Sequence, residues 1–252
     1  MSTTASDAVT AVTGAVGGMR LRVSEVFGPT FQGEGPSVGR ACSFVRLGGC
    51  NLHCSWCDTP YTWDWTGRNG TPYDPQTELY WASAEALWAD VEPRGGGMLV
   101  LSGGEPLLQQ NAAMVELLSA AKRCEWRVEL ETAGTVAPTP EVVKLVDQFN
   151  VSPKLANSGN DAHKRYRPEA IDALRDTGRS VWKFVAQTAD DLIEVEAYVA
   201  KHAIENVWIM PEGTTSEQIN ECSRRLVDGV LARNWNLATR LHVHLYGPRR
   251  GI

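Results

Sequence analysis

The chain alternates short apolar runs with longer stretches that have the spacing of amphipathic helices. The apolar runs are rich in Val, Ile, Leu and Phe and lack strict polar alternation, which is typical of strands covered on both faces in a parallel sheet. We therefore predict buried strands at residues 42–47, 98–102, 128–131, 149–152, 181–186, 207–210 and 241–245.

The stretches between these strands carry signals for the start of helices. Proline is favoured in the first turn of a helix, and Pro106, Pro140 and Pro168 stand where three of the stretches begin. Thr139 and Ser216 are the predicted N-caps of two helices. We predict helices at residues 106–124, 140–146, 168–176, 190–202 and 216–232.

This alternation of strand and helix predicts an α/β protein built from repeated βα units. The units form either a full or partial barrel or an open doubly wound sheet. In both architectures ligands bind at the carboxyl ends of the strands. Polar residues that directly follow a predicted strand are therefore candidates for an active site.

Two segments break the alternation. Residues 63–80 combine glycines, prolines and aromatic residues, and a loop of this length is usually functional or flexible, so we expect either a lid beside the active site or a surface insertion. Residues 1–18 are rich in small residues and lack the basic start and compact apolar centre of a secretory signal. The sequence thus predicts a disordered leader at 1–18 and a single domain at 19–252.

Composition narrows the class of protein. The 252 residues are 43% hydrophobic, which is enough to bury a full core. The 24 basic and 30 acidic side chains give a net charge of -6 without a long basic block, so nucleic acid is not an expected partner. No apolar run approaches the roughly 18 residues of a membrane span. Six cysteines are too few for a disulfide scaffold, and we expect a reducing cytoplasm.

Three cysteines stand close together after the first predicted strand, at Cys50, Cys54 and Cys57. A short loop with C-x3-C-x2-C spacing can supply thiolates to three irons of a 4Fe-4S cluster and leave the fourth iron open to another ligand. The alternative is a structural zinc site, in which four protein ligands complete the coordination of the metal. His53 would be the fourth ligand only if the loop folded sharply.

This cysteine spacing, with an aromatic residue before the last cysteine, resembles the signature of the radical S-adenosylmethionine superfamily. In that superfamily the open iron binds S-adenosylmethionine, and an electron from the cluster releases a 5′-deoxyadenosyl radical. The resemblance implies a partial (β/α) barrel with mostly parallel strands. It places Trp56 beside the adenine of the cofactor, although a core tryptophan is the alternative.

Other predicted strand ends are similar to further cofactor-binding segments of the superfamily. Gly-Gly-Glu-Pro at 103–106 resembles a segment in which glycines admit the ligand and a carboxylate accepts from its ammonium group. Ser-Pro-Lys at 152–154 resembles a segment that contacts the ribose and the carboxylate, with a surface cation as the alternative for the lysine. The resemblance implies cofactor binding by Gly103, Gly104, Glu105, Thr132, Ser152 and Lys154, and the position at a strand end predicts the same for Met210, Pro211 and Glu212.

The flanks of the cysteine motif resemble one family in particular. Phe-Gln-Gly-Glu-Gly-Pro at 31–36 and Asp-Thr-Pro-Tyr at 58–61 are similar to segments of the 7-carboxy-7-deazaguanine synthase family. That family uses magnesium and converts 6-carboxy-5,6,7,8-tetrahydropterin into 7-carboxy-7-deazaguanine on the route to queuosine and other deazapurines. The resemblance implies a homodimer and an electron donor such as flavodoxin or ferredoxin.

The family resemblance also implies a substrate site and a magnesium contact. Gln32 and Glu34 offer the donors and acceptors that the edge of a pterin needs, and Arg46 offers a fork for its carboxylate, with a strand-end salt bridge as the alternative. One departure is Pro248, which stands where an acidic residue is expected. The implied residues are Gln32, Gly33, Glu34, Gly35, Arg46 and His242 for the substrate, and Thr59 for Mg²⁺.

Two other functions remain open from the sequence. The first is a radical S-adenosylmethionine activase that generates a glycyl radical on a partner protein, which would share the chain length and the cysteine spacing. The second is a non-enzymatic iron–sulfur carrier or a zinc-stabilised interaction protein, which predicts a fully ligated metal. A response of the cluster to S-adenosylmethionine distinguishes the second from any radical enzyme.

Overall fold

A computed structural model describes residues 20–252, and the predicted leader at 1–18 lies outside them. The described residues form one sheet with helices packed against it. The strands are β1 Leu21–Phe31, β2 Ala41–Leu47, β3 Tyr80–Ala82, β4 Met98–Gly103, β5 Arg127–Thr132, β6 Gln148–Val151, β7 Ser180–Ala186, β8 Val207–Pro211 and β9 Asn236–Leu237. The helices are α1 Pro75–Glu78, α2 Ala84–Val91, α3 Ala112–Arg123, α4 Pro140–Leu145, α5 Ala162–Arg165, α6 Pro168–Asp176, α7 Ala189–His202, α8 Ser216–Ala232 and α9 Leu241–Tyr246.

The strands lie in the order β3-β1-β2-β4-β5-β6-β7-β8-β9. From β2 to β9 every neighbouring pair is parallel, whereas β1 pairs antiparallel with both β2 and β3. Strands β3 and β9 form the two edges, so the sheet is open. The predicted α/β fold with mostly parallel strands is confirmed. No helix in the described part of the chain is long and apolar enough to cross a membrane.

The predicted helix at 106–124 is two elements. A 3-10 helix occupies Pro106–Gln109, and α3 begins afresh at Ala112 because the Asn111 side chain accepts from the N–H groups of Ala113 and Met114. The predicted cap Thr139 is confirmed by its bond from the Val142 N–H.

The predicted cap Ser216 is wrong by one residue. The cap of α8 is Thr215, which forms a capping box with Gln218. The hydroxyl of Thr215 or of Ser216 could cap the helix. Thr215 does so because Gln218 then stands at the third helical position, where its side chain completes the capping box.

The predicted strand at 241–245 is wrong, because this segment is the helix α9. A short apolar run fits a strand or a helix equally well, and here the helix begins at Leu241, whose N–H donates to the Gly33 carbonyl. Of the apolar residues in α9, Val243 is buried whereas Leu245 is exposed. Strands β1, β3 and β9 and helices α1, α2 and α5 were not predicted, and α1 lies within the predicted loop at 63–80. Strand β1 has irregular register beside Glu25 and Thr30, which interrupts its alternation.

Side chains along the parallel strands alternate between the helix-covered face and the interior of the curved sheet. In β7, Trp182 and Phe184 pack in the main hydrophobic core, whereas Lys183 and Val185 face the interior. The interior is closed at the amino ends of the strands by an apolar cluster of Phe27, Cys42, Phe44, Met98 and Val100. The space left at the carboxyl ends is a cavity.

Candidate active site

The cavity at the carboxyl ends of the strands brings most of the predicted site residues together. Gly35, Glu105 and Pro211 are the predicted site residues outside its lining. The predicted residues that line it are Gln32, Gly33, Glu34, Arg46, Cys50, Cys54, Trp56, Cys57, Thr59, Gly103, Gly104, Thr132, Ser152, Lys154, Met210, Glu212 and His242.

The three motif cysteines line the same wall, and each sulfur accepts a hydrogen bond from this chain. The Leu52 N–H donates to Cys50 Sγ at 3.4 Å, Asn160 Nδ2 donates to Cys54 Sγ at 3.2 Å, and Trp63 Nε1 donates to Cys57 Sγ at 3.3 Å. Donors aimed at sulfur stabilise a thiolate, which is the form that binds metal. The surroundings of these sulfurs therefore fit metal-bound thiolates.

Without a metal these thiols stay protonated. Burial raises the pKa of Cys50 to about 12 and also raises the pKa values of Cys54 and Cys57. In residues 20–252, no three His, Cys, Asp or Glu side chains are arranged to hold a single metal ion. His53 is engaged elsewhere, with its Nδ1 3.0 Å from Arg68 Nη1 and its ring packed on Trp63. His53 therefore does not stand ready as the fourth ligand that a structural zinc site at these cysteines would need.

The residues predicted to bind the cofactor lie next to the cysteines. Lys154 Nζ donates to Ser152 Oγ at 2.9 Å and sits 5.5 Å from the centre of the Trp56 ring. Trp56 is half-buried at the cavity, and its Nε1 donates to Asn157 Oδ1 at 3.3 Å. Lys154 is therefore a cavity cation, and Trp56 presents a ring to the cavity.

Glycines are required at 103 and 104 because the backbone of Leu47, at the end of β2, packs directly on Gly103 and that of the cysteine loop packs on Gly104. A Cβ on Gly104 would overlap the Gly49 carbonyl, and Gly103 also has a φ of +136°. Glu105 is fully buried beneath the cavity, where it accepts from the Ala133 N–H and the Thr132 hydroxyl. Its carboxylate fixes the ends of β4 and β5 to each other.

A charged network also lines the cavity. Glu34 pairs with Lys183 and, at 3.0 Å, with Arg240, which also pairs with Asp58. Arg240 further donates to the Gly213 carbonyl at 2.9 Å. The network joins the segment after β1, the cysteine loop, β7 and the start of α9.

The network fixes the charges of its members. Burial alone would raise the pKa of Glu34, but Lys183 and Arg240 hold it well below its usual range. Burial alone would lower the pKa of Lys183, but Glu34 raises it above the ordinary value. Glu34 is therefore a carboxylate and Lys183 an ammonium throughout the neutral range.

Arg46 and Gln32 stand on the same side of the cavity. Arg46 Nε donates to Glu25 at 2.7 Å, so the salt bridge weighed as an alternative exists, and the residue also lines the cavity. Gln32 Nε2 donates at 3.3 Å to Glu131, another cavity residue. His242 packs on Gly33, where a Cβ would overlap its ring, and burial lowers its pKa.

The end of the chain reaches the cavity as well. Ile252 lines it, and Arg250 holds the tail through Glu25 at 3.2 Å, Glu78 at 2.6 Å and the Tyr61 ring at 3.7 Å. Pro248, the departure noted in the sequence, is exposed and outside the lining. The tail therefore closes one side of the cavity despite this departure.

Sequence reasoning missed several cavity residues. Lys183 had a signal, because it is the one charged residue within the apolar run 181–186. Arg240 had none, since its partners Glu34 and Asp58 are remote in the chain. Others that were missed are Asn150 and Ile252.

Comparison with known proteins agrees with this geometry. Residues 44–209 match the radical SAM superfamily. The chain is 37% identical over 235 residues to the 7-carboxy-7-deazaguanine synthase of Pyrobaculum aerophilum, covering 92% of this chain and 97% of that protein. It is 31% identical over 246 residues to the enzyme of that name from Rhodopirellula baltica, covering 92% and 88%.

The fold has a solved counterpart. The crystal structure of QueE from Escherichia coli superposes with a TM-score of 0.66 at 24% identity, covering 88% of this chain and 95% of that one. This likeness confirms the partial barrel expected for the fold. By its match to the superfamily and its identity to these relatives over nearly the whole chain, the protein belongs to the 7-carboxy-7-deazaguanine synthase family of radical S-adenosylmethionine enzymes.

Proposed function

We propose that this chain converts 6-carboxy-5,6,7,8-tetrahydropterin into 7-carboxy-7-deazaguanine with release of ammonia, acting as a carbon–nitrogen lyase in deazapurine biosynthesis. One observation carries the proposal: a single cavity joins the cysteine motif to a charged wall suited to an anionic pterin. Relatives that share nearly the whole length of the chain carry the name of this synthase.

The cofactors follow from the superfamily and from the donors around the sulfurs. Cys50, Cys54 and Cys57 would hold a 4Fe-4S cluster, and Trp56 and Lys154 would contact S-adenosylmethionine beside it. When bound, the pair supplies the 5′-deoxyadenosyl radical that begins the reaction. Glu105 would act indirectly, by fixing the strand ends on which the cofactor rests.

The chain's own residues would bind and orient the substrate. Glu34 would accept hydrogen bonds from the N–H edge of the pterin, because its neighbours keep it ionised. Arg46 would hold the substrate carboxylate with its terminal nitrogens while Nε stays with Glu25. Lys183 adds positive charge to the same wall, which favours an anionic substrate over a neutral one.

Thr59 would provide the contact to Mg²⁺. Its hydroxyl borders the cavity, 3.7 Å from Cys57 Sγ, and the adjacent Asp58 is fixed by Arg240. Mg²⁺ keeps several waters and binds through few protein groups, so substrate oxygens and water would complete its octahedron.

The competing activase function is not favoured. Its substrate would be a protein segment, whereas the described cavity is lined by buried charged groups and partly closed by the chain end at Ile252. The proposed synthase is further expected to be a homodimer that receives electrons from a small redox protein.

An anaerobic product assay tests the function. The reduced, reconstituted enzyme is incubated with the carboxypterin and S-adenosylmethionine, with and without Mg²⁺. We expect one 7-carboxy-7-deazaguanine for each carboxypterin consumed, and a slower reaction without Mg²⁺. Formation of 5′-deoxyadenosine without the deazaguanine would exclude the proposed substrate while leaving a radical enzyme.

A further inference from the structure

The carboxylate of Glu25, on β1, is shared by three parts of the molecule. Its Oε1 accepts from Arg46 Nε at 2.7 Å and from the Tyr61 hydroxyl at 2.9 Å, and its Oε2 accepts from Arg250 Nε at 3.2 Å. The side chains of Glu25 and Arg46 are only 14% and 16% exposed, so water and salt screen their attraction little. One carboxylate thus joins a cavity arginine, the segment that follows the cysteine loop and the chain end.

A shift in the pairing of β1 with β2 brings Glu25 to this position. Val23 pairs with Leu47, but the next pair is Glu25 with Arg46, so β1 carries one extra residue between them. In a regular antiparallel ladder Ser24 would stand opposite Arg46. Such bulges re-aim side chains and are over-represented beside active sites. Here the bulge gives Arg46 a carboxylate as its cross-strand neighbour in place of a hydroxyl.

The guanidinium of Arg46 is therefore held on two sides. Its Nε is bonded to Glu25, and its Cζ lies 5.4 Å from the centre of the Phe27 ring. Within residues 20–252, the bond to Glu25 is the hydrogen bond that the Arg46 side chain makes, and Arg46 lines the cavity. A carboxylate binds a guanidinium through Nε and one terminal nitrogen, or through both terminal nitrogens. With Nε occupied by Glu25, the second mode is the one left for a ligand.

We propose that Glu25 is a positioning residue that makes the site select a pterin bearing a carboxylate, by fixing Arg46 so that both terminal nitrogens face that carboxylate. The proposal rests on the proposed function, in which Arg46 binds the carboxylate of the substrate. Glu25 itself is not among the residues that line the cavity, so its effect on the ligand passes through Arg46.

The other two partners of Glu25 decide how the proposal has to be tested. Tyr61 belongs to the segment that carries Thr59, the proposed Mg²⁺ contact, and Arg250 precedes the cavity residue Ile252. Arg250 also lies 3.7 Å from the centre of the Tyr61 ring. Removing Glu25 would loosen all of these contacts at once. The measurement must therefore report on the ligand carboxylate alone.

Two fluorescent pterins provide this measurement. Pterin-6-carboxylate and 6-hydroxymethylpterin share the ring and differ in the group on carbon 6. Their Kd values for the anaerobically reconstituted protein with S-adenosylmethionine are obtained by fluorescence titration, and the ratio of the two is the carboxylate preference. We expect the wild type to prefer the carboxylate and Glu25→Ala to lower this preference by at least about tenfold. Glu25→Gln should lower it less, because its amide oxygen still accepts from Arg46 Nε.

A double variant tests whether Glu25 acts through Arg46. Arg46→Met should lower the carboxylate preference by itself. Adding Glu25→Ala to that variant should change the preference by no more than about twofold, because the group that Glu25 positions is already gone. Glu116→Ala is the matched control, since Glu116 is an exposed carboxylate on α3, outside the cavity lining. It should keep the wild-type preference.

The outcomes separate positioning from a general structural role. If Glu25→Ala weakens both pterins equally, the preference is unchanged and the positioning role is overturned. Independent, multiplying losses from Glu25→Ala and Arg46→Met would overturn it as well. A wild type without any carboxylate preference would exclude carboxylate binding by Arg46 and, with it, the role of Glu25. The anaerobic product assay decides separately whether the chain is the proposed synthase.

Discussion

The thiols of this chain differ in the direction of their hydrogen bonds. Cys222 Sγ donates to the Ala186 carbonyl at 3.3 Å, as a neutral buried thiol does. The sulfurs of the motif instead accept from N–H groups, such as that of Asn160 at Cys54. The three motif sulfurs, which line the cavity, thus each have a donor that would stabilise a metal-bound thiolate.

Replacing one cysteine of each kind should give opposite results. Cys54→Ala removes a cluster ligand, so iron content should fall and cleavage of S-adenosylmethionine should stop. Cys222→Ala should keep the iron content and the cleavage activity. It should lower the free energy of unfolding by about 1 kcal/mol, the value of one hydrogen bond. Iron and sulfide analysis with a deoxyadenosine assay checks this. Loss of iron from the Cys222 variant would contradict the distinction.

The ion pair between Lys183 and Glu34 is buried on both sides, so its members should depend on each other. Lys183→Met leaves Glu34 with Arg240 alone and should lower the free energy of unfolding by about 2 kcal/mol. Glu34→Gln should cost a similar amount. Because each single change removes a partner from the other buried charge, the double variant should lose about 1–3 kcal/mol less than the sum.

Urea unfolding of the four proteins under one buffer condition measures this coupling. Additivity within about 0.5 kcal/mol would mean that the two charges do not interact in solution. The KM for the carboxypterin should rise in all three variants, since the wall that faces the substrate changes charge or orientation in each of them.

At the level of elements, the chain end is the part that depends most on contacts remote in sequence. Helix α9 and the tail are held by Arg240 at one end and Arg250 at the other. Arg250 is exposed, and its pairs with Glu25 and Glu78 lie on the protein surface. Such pairs stabilise the fold little but restrict where the tail lies.

Arg250→Ala should therefore affect the substrate more than the fold. We expect the KM for the carboxypterin to rise about tenfold, equivalent to roughly 1.4 kcal/mol, while the free energy of unfolding changes by less than about 1 kcal/mol. Steady-state kinetics and urea unfolding measure the two effects. Arg249→Ala, the neighbouring exposed arginine, serves as the control. Equal KM values for the two variants would show that the tail does not need this anchor.

The success of sequence reasoning varied with how local each signal was. The cysteine motif and the Gly-Gly-Glu-Pro turn are contiguous, and the strands that precede them were predicted within a few residues. Lys183 and Glu34 lie 149 residues apart, and Arg240 and Glu34 lie 206 apart, so no spacing rule reveals these pairs. Helix α9 was mistaken for a strand because its conformation depends on contacts such as that of Leu241 with Gly33.

Glu105 shows a different limit of sequence reasoning. Its motif was recognised, and a contact with the cofactor ammonium was the expectation. In the described structure the carboxylate is buried and accepts from Thr132 and Ala133. The contact with the ammonium group stays a prediction, because the motif alone does not tell how deeply its carboxylate is buried.

At the scale of the whole molecule, the cysteine loop connects parts of the fold that the sheet does not. Asn51 bonds to Thr135 beyond β5, and the Ser55 N–H donates to the Ser158 carbonyl beyond β6. A cluster bound by three residues of this loop would tighten these connections. The sheet and its main core do not involve the loop, so the fold should persist without the metal.

Removing the cluster should therefore lower the melting temperature without unfolding the protein at 25 °C. Adding S-adenosylmethionine at 100 times its Kd should stabilise the cluster-loaded form by about 2.7 kcal/mol, which corresponds to about 5–10 °C for a chain of this size. The cluster-free form should gain much less, because it lacks the open iron and holds the cofactor through protein side chains alone. Anaerobic melting of chelator-treated and reconstituted protein compares the two forms. An equal gain in both would mean that the cofactor binds without the open iron, and the cysteine motif would lose its assigned role.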